Sequence, residues 1–369
     1  MSLKVGIIGL PNVGKSTLFN ALTSSTVEAA NYPFATINPN KSIVNVPDDR
    51  VLFLNTVFKP IKTTLATIEF VDIAGLVKGA SHGEGLGNRF LSHIRECDAL
   101  IEVVRCFENP KIIHVEQGID PKRDIEIIDL ELIMADLETL NKRIGKVETK
   151  ARVNKDKDSV YEVKIISFLK EHLEKGVPVR RIPNLSKDDR EFVRKNYFLL
   201  TEKPLIYVAN ISDQFISEPL NSTHFKVVNE IANNENTKVI PISIATENEL
   251  SGLKENEKDE IFRELGIELD SLHRVIISAY KLLGLETFFT VGKDEVRAWT
   301  FKKGMNAKDC AGIIHSDFSR GFIKAEIYKF DDLVKFGNEL SVKEAGKMRI
   351  EGKDYLMNDG DVAFFKFNV

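Results

Sequence analysis

The 369-residue sequence predicts an α/β protein built on a doubly wound, mostly parallel sheet, and three observations carry that reading. Apolar runs of strand length, among them KVGIIGL (4–10), ALIEVVRC, PLIYVAN (204–210) and KVIPIS (238–243), alternate with helical segments, as strands buried on both faces do. A heptad-like repeat of Leu130, Ile133, Leu137, Leu140, Ile144, Val147 and Ala151 breaks that alternation in the middle of the chain. From Leu282 onward the texture changes to short strands separated by Gly and Asp turns.

Taken in order, KVGIIGL is the first buried strand and TLFNALTSS the helix after it. ATIEFVDIAG and ALIEVVRC continue the sheet, and PLIYVAN and KVIPIS resume it after the heptad segment. The polar stretch RVNKDKDS (152–159) separates the heptad helix from a second one carrying Val163, Ile166, Leu169 and Leu173 on one side, so the pair reads as an antiparallel hairpin packed on itself. EVRAWTFKKG, FIKAEIYKF, DYLMNDGD and VAFFKFNV read as strands of a small C-terminal domain, with SVKEAGKMR as a short helix. The expected division is therefore 1–128 with 201–281 as one domain, 129–200 as a helical insertion, and 282–369 as the β-rich domain.

A formal net charge of -4 argues against wholesale coating of nucleic acid, though not against local basic patches. Cys97, Cys106 and Cys310 have neither metal-ligand spacing nor the number for a disulfide framework. No apolar stretch reaches the ~20 residues that span a bilayer, and the N-terminus enters a strand directly, so a cytoplasmic protein without a membrane partner is expected.

Gly9-Leu10-Pro11-Asn12-Val13-Gly14-Lys15-Ser16 matches G-x-x-x-x-G-K-[ST] between an apolar strand and a helix, the context a phosphate-binding loop requires. Its glycines let several N–H groups turn toward a β-phosphate, Lys15 reaches the β- and γ-phosphates, and the Ser16 hydroxyl ligates Mg²⁺. Val13, Gly14 and Thr17 complete the local nucleotide-binding set. Asp72, in DIAG, supplies a carboxylate beside the metal and Gly75 an amide for the γ-phosphate; Thr36, in NYPFATINPN, is placed to close over both as a switch loop. Gly79, Gly83, Gly85 and Gly87 make the segment after DIAG glycine-rich.

Two positions depart from ordinary GTPase chemistry. The residue after DIAG, a water-orienting Gln in Ras-like enzymes, is Leu76, which cannot hydrogen-bond. His114, in NPKIIHVEQG, is one replacement, with a packed or surface histidine as the other reading. Asn12 is a second candidate, through its side-chain oxygen and a K⁺ ion against the phosphates, with a turn asparagine as its alternative. The base-reading segment is Asn210-Ile211-Ser212-Asp213 instead of Asn-Lys-x-Asp. Ile211 lacks the Lys function but can cover the base plane, Asp213 occupies the reading position, and Ser243 ends the next strand. A carboxylate suits guanine's two donors better than adenine's edge; the local chemistry alone leaves the base open.

GLPNVGKST, NYPFATINPN, the run VDIAGLVKGAS…GEGLGN…FLSHIRECDA, DPKRDIEIID, and DEVRAWTFKKG through DGDVAFFKFN together resemble the YchF-type Obg-like ATPases over essentially the whole chain. The resemblance implies a Ras-like P-loop domain interrupted by a coiled-coil hairpin and followed by a ubiquitin-like β-grasp (TGS) domain. It implies Mg²⁺-dependent hydrolysis of ATP in preference to GTP, with a hydrophobic residue in place of the Gln and a loop histidine, matched by His114, positioning water. Family members normally carry Glu where this chain has Asp213. A ribosomal partner is also implied, with rRNA contact through the coiled coil or through Arg297, Lys302, Lys303, Arg320 and Lys324 of the β-rich domain. An Obg-class GTPase and a nucleotide-gated binding protein with incidental hydrolysis are the alternatives.

Overall fold

The computed structural model describes residues 3–24, 40–73, 86–115, 118–154, 156–250, 253, 257, 260–261 and 271–368. Thr36, Gly75, Leu76, Gly79, Gly83 and Gly85 lie outside these residues, while Gly87 falls in the helix that starts at Leu86. The strands are β1 (Lys4–Ile8), β2 (Lys41–Asn45), β3 (Lys62–Thr64), β4 (Thr67–Asp72), β5 (Ala99–Cys106) and β6 (Leu205–Ile211). They continue with β7 (Val239–Ile242), β8 (Leu285–Thr290), β9 (Glu295–Lys302), β10 (Phe322–Lys329), β11 (Arg349–Glu351) and β12 (Asp361–Phe367). Helices include α1 (Lys15–Ser24), α2 (Asp49–Phe58), α3 (Leu86–Glu96), α4 (Pro121–Asn154), α5 (Lys157–Glu174), α6 (Lys187–Asn196), α7 (Thr223–Asn234) and α8 (Ile244–Leu250).

The chain divides into two compact units, 1–42 with 69–275 and 43–68 with 276–369. The first sheet has the order β2-β4-β1-β5-β6-β7. Neighbouring strands from β4 through β7 all pair in parallel. Every residue of β5 and β6 is buried, which explains why both read as continuous apolar runs. The order steps outward from β1 in both directions, and the carboxyl ends of β1 and its neighbours are where a doubly wound sheet builds its site.

The helical insertion departs from a self-packed hairpin. α4 runs to Asn154 and α5 begins at Lys157, so helix extends into most of the polar stretch that was expected to break it. Asp156 caps α5 by accepting from Ser159 N, which gives the second helix its start. Leu130 is 55 % exposed, so the buried seam starts at Ile133, not at the first residue of the heptad pattern. Ile133, Leu140, Ile166 and Leu169 form one core with Val179, Ile182, Val193 and Leu199, from the segment around α6. The hairpin thus depends on residues that follow it, whose irregular spacing hides them from a periodicity search.

In the second unit the sheet order is β11-β10-β12-β8-β9-β3. β8 and β12 are parallel neighbours, while β8–β9, β10–β12 and β10–β11 are antiparallel. A helix, Ala307–Ile314, packs into the core of Phe288, Phe301, Ala325, Ile327 and Phe365, in the manner of a β-grasp. The DYLMNDGD segment makes an isolated bridge at Leu356 and enters β12 only at its last residue, Asp361, and SVKEAGKMR divides between a helix ending at Glu344 and β11.

Residues 43–68 fall in this second unit and not with the nucleotide-binding sequence that flanks them. β3 pairs parallel with β9, Lys62 to Glu295 through Thr64 to Arg297. The Arg50 guanidinium bonds Asp48 and Asp359, at 2.7 and 2.8 Å, and lies 5.0 Å from the centre of the Phe289 ring. Of the basic residues proposed for rRNA, Lys303, Arg320 and Lys324 each lie against a carboxylate, and Arg297 stacks 3.9 Å over Trp299.

Candidate functional site

The phosphate loop is shaped by two tight approaches. A Cβ on Gly9 would lie 2.5 Å from the Val103 carbonyl oxygen, and Gly9 sits at φ +145. Gly14, at φ +107, faces Asn210, whose Nδ2 would stand 2.8 Å from an added Cβ. Both glycines therefore serve backbone conformation and space together. Asn12 also takes a left-handed conformation, φ 62, one that Asn tolerates better than most residues.

Lys15 opens α1, is buried, and donates from Nζ to Leu10 O at 2.7 Å. Burial pushes its pKa down to about 8, opposed by the negative charge of Asp72. Asp72 ends β4 and its backbone N–H donates to Asn40 O. Its Oδ1 is buried and has no hydrogen-bond partner among the described residues. A buried carboxylate oxygen left over in this way, with the Ser16 hydroxyl at the start of α1, fits the all-oxygen donor set that Mg²⁺ requires. Thr36, the third expected ligand, lies outside the described residues, as does Gly75. Thr17 follows within α1.

Asn210, the first residue of the proposed base-reading segment, makes two buried hydrogen bonds within the protein. It is buried at the end of β6, donates from Nδ2 to Val13 O at 2.9 Å, and accepts from Ile244 N at 3.2 Å. One carboxamide thus ties the phosphate loop to the turn after β7. Ser243, in that turn, pairs its hydroxyl with Thr246 at 2.9 Å. Ile211, proposed to cover a base plane, is the last residue of β6 and only 2 % exposed. Asp213 is exposed, and its Oδ1 accepts from Gln214 N and from the Ser212 hydroxyl.

His114 is not a free loop histidine. Its Nε2 lies 2.9 Å from Asp124 Oδ2, with both side chains 5 % exposed. Asp124 lies in the first turn of α4, whose start is marked by Asp120 accepting from Arg123 N. The flanking Ile113 is 79 % exposed, and its carbonyl accepts from Asn12 Nδ2 at 3.2 Å. The phosphate loop and the His114 loop are therefore in direct contact. Asn12 makes that contact, which neither of its two sequence readings included.

Two residues at this site escaped the sequence reading. Asp124 sits within a charged helix start, DPKRDIEIID, where one more acid gives no signal. Arg105 is a buried cation near the end of β5 that donates to three backbone carbonyls of the loop leading to His114. A lone arginine inside the apolar run ALIEVVRC was the available clue.

Two family models match the chain. One described as "50S ribosome-binding GTPase" covers residues 4–210, and a YchF GTPase C-terminal family, described as "Protein of unknown function (DUF933)", covers residues 285–368. The chain is 52% identical to the "Ribosome-binding ATPase YchF" of Bacillus subtilis and 48% identical to that of Escherichia coli O157:H7, covering 100% of both chains in each case. It also resembles the solved structure of the Schizosaccharomyces pombe YchF GTPase, with a TM-score of 0.89 and 38% identity over 99% of this chain and 98% of that one.

Proposed function

This chain belongs to the YchF family and is a P-loop nucleotide hydrolase, and from that premise we propose that it is a Mg²⁺-dependent ATPase whose nucleotide state governs binding to the ribosome. The observation that carries the hydrolytic part is the buried Asp72 Oδ1, unpartnered among the described residues and in the electrostatic field of Lys15. Mg²⁺, held by Ser16 and Asp72 with Thr36 added from the switch segment, would neutralise charge on the β- and γ-phosphates. The chain's own groups do the rest. Backbone amides of Val13 to Ser16 cradle the β-phosphate, Lys15 moves from Leu10 O to the β- and γ-oxygens, and the Gly75 amide meets the γ-phosphate. His114 orients the attacking water in place of the Gln that Leu76 replaces.

Preference for ATP over GTP is the finer part of the proposal. Guanine recognition uses both oxygens of a carboxylate on N1–H and the 2-amino group, whereas Asp213 Oδ1 already accepts two local hydrogen bonds. The buried Ile211 provides no lysine stem. Titration of the protein with ATP and GTP, on wild type and Asp213→Glu, tests this. Tighter binding of ATP supports the reading, and equal or tighter binding of GTP rejects it; a ratio unchanged by Asp213→Glu removes this residue as the selector.

The ribosomal partner is supported by the names of the relatives, which describe them as ribosome-binding. Co-sedimentation with ribosomes in ATP and in ADP tests it, and identical, negligible binding in both states rejects it. The K⁺ element is separable: exchange of K⁺ for Na⁺ in a turnover assay that leaves the rate unchanged discards it. Asn12 keeps an oxygen for such an ion while its amide nitrogen donates to Ile113 O.

A further inference from the structure

The loop that leads to His114 is gripped by a charged side chain that the phosphate-binding motif does not explain. Arg105 is the penultimate residue of β5, 2 % exposed, and one of the largest fully buried side chains in the described chain. Its Nε donates to Phe107 O at 3.2 Å, Nη2 to Asn109 O at 3.2 Å and Nη1 to Ile112 O at 3.1 Å. The guanidinium carbon also sits 4.6 Å from the centre of the Phe107 ring.

Burying a cation among neutral carbonyls is costly, and burial holds this guanidinium below its ordinary pKa, with Asp124 opposing the shift. An apolar residue would suit the strand better. What arginine adds is a rigid fork of N–H donors, here spread over three carbonyls in the six residues from Phe107 to Ile112. The next carbonyl, that of Ile113, accepts from Asn12 of the phosphate loop. Residues 107–113 are thus fastened from the strand on one side and from the phosphate loop on the other, immediately before His114.

We propose that Arg105 is a positioning residue for hydrolysis: it fixes the 107–113 loop so that His114 is presented to the phosphate site, without itself touching nucleotide. The inference rests on the reading of His114 as the group that orients water. The alternative is a buried arginine that only fills and stabilises the end of β5.

Single-turnover ATP hydrolysis and ATP affinity, measured on Arg105→Met, His114→Ala and the double variant, separate these. The expected result is that Arg105→Met slows the chemical step by roughly 10-fold or more while ATP affinity changes less than about twofold, as for loss of positioning alone. The double variant is expected to be no slower than His114→Ala, because both changes remove one function. Exchange of amide hydrogens in 108–113 is expected to accelerate in Arg105→Met. Should that variant fail to fold, Arg105→Lys keeps the charge, cannot span three carbonyls, and is expected to show the same split. Unchanged turnover in His114→Ala overturns the reading of the histidine and this inference with it. Slow His114→Ala with wild-type-like Arg105 variants, or losses that multiply in the double variant, overturns the Arg105 inference alone.

Discussion

Asn210 illustrates how much a single side chain can carry at this site. Its carboxamide satisfies the Val13 carbonyl and the Ile244 amide, both in buried surroundings. Asn210→Ala therefore leaves two backbone groups unpaired and is expected to destabilise the protein by about 1–3 kcal/mol, with weakened nucleotide affinity; urea melts and nucleotide titration check both. Lys15 gives a pH signature. With a pKa lowered to about 8 in the protein, the amine is charged below that pH and neutral above it. Nucleotide phosphates favour the charged form, so binding above pH 8 must take up a proton. Affinity is expected to fall by up to about tenfold per pH unit there, and the slope is expected to vanish in Lys15→Met. The roles proposed for Lys15, Ser16 and Asp72 could be read from the sequence because phosphate chemistry dictates residue type and spacing. Arg105 and Asp124 were not, because their partners are loop carbonyls and a histidine brought together only by folding. The two bonds of Asn210 were not legible, since they reach residues 197 and 34 positions away.

At the level of elements, the strands were the most readable parts and the helical insertion the least complete. β5 and β6 announce themselves because burial on both faces favours mostly apolar sequence, which in β5 only Glu102 and Arg105 interrupt. The hairpin's second layer, from Val179 to Leu199, has no period to detect, yet it closes the core. Polar groups also hold this layer. Asp136 of α4 accepts from Leu200 N, Thr201 N and the Thr201 hydroxyl at 2.8, 2.8 and 2.7 Å. Asp136→Asn turns an amide against those donors and is expected to cost about 1–3 kcal/mol in a denaturation experiment. Beneath α4, Glu102 of β5 is buried near Asp129 and Glu235, with Arg180 and Arg181 among them. Burial first, and then the neighbouring Asp129, raises the Glu102 pKa well above its ordinary value. The folded state then keeps a proton that the unfolded state releases, so this contribution to stability is full at low pH and lost as pH rises toward the folded pKa. In that window wild type is expected to lose up to about 1.4 kcal/mol per pH unit relative to Glu102→Gln. Urea midpoints of the two proteins at pH 5 and pH 8 measure it.

At the scale of the whole molecule, residues 43–68 are the instructive case. They lie between the phosphate loop and Asp72 in sequence, and nothing in their composition separates them from the surrounding α/β pattern. Contacts made on folding, among them the pairing of β3 with β9 and the Arg50–Asp359 contact, show that they complete the second unit. A fragment of residues 276–369 alone is expected to melt earlier than the same unit in the full chain, because it lacks that strand and that ion pair; thermal unfolding followed by circular dichroism reads this out. The same arrangement means that the chain passes through the second unit between the phosphate loop and Asp72. Hydrolysis remains the activity on which the rest depends. The most direct measurement is single-turnover ATP hydrolysis in the presence and absence of Mg²⁺ for wild type and His114→Ala at saturating ATP. Turnover that requires Mg²⁺ and falls by about tenfold or more in His114→Ala with ATP affinity retained is the predicted result; metal-independent turnover, or a rate unchanged by the substitution, would contradict it.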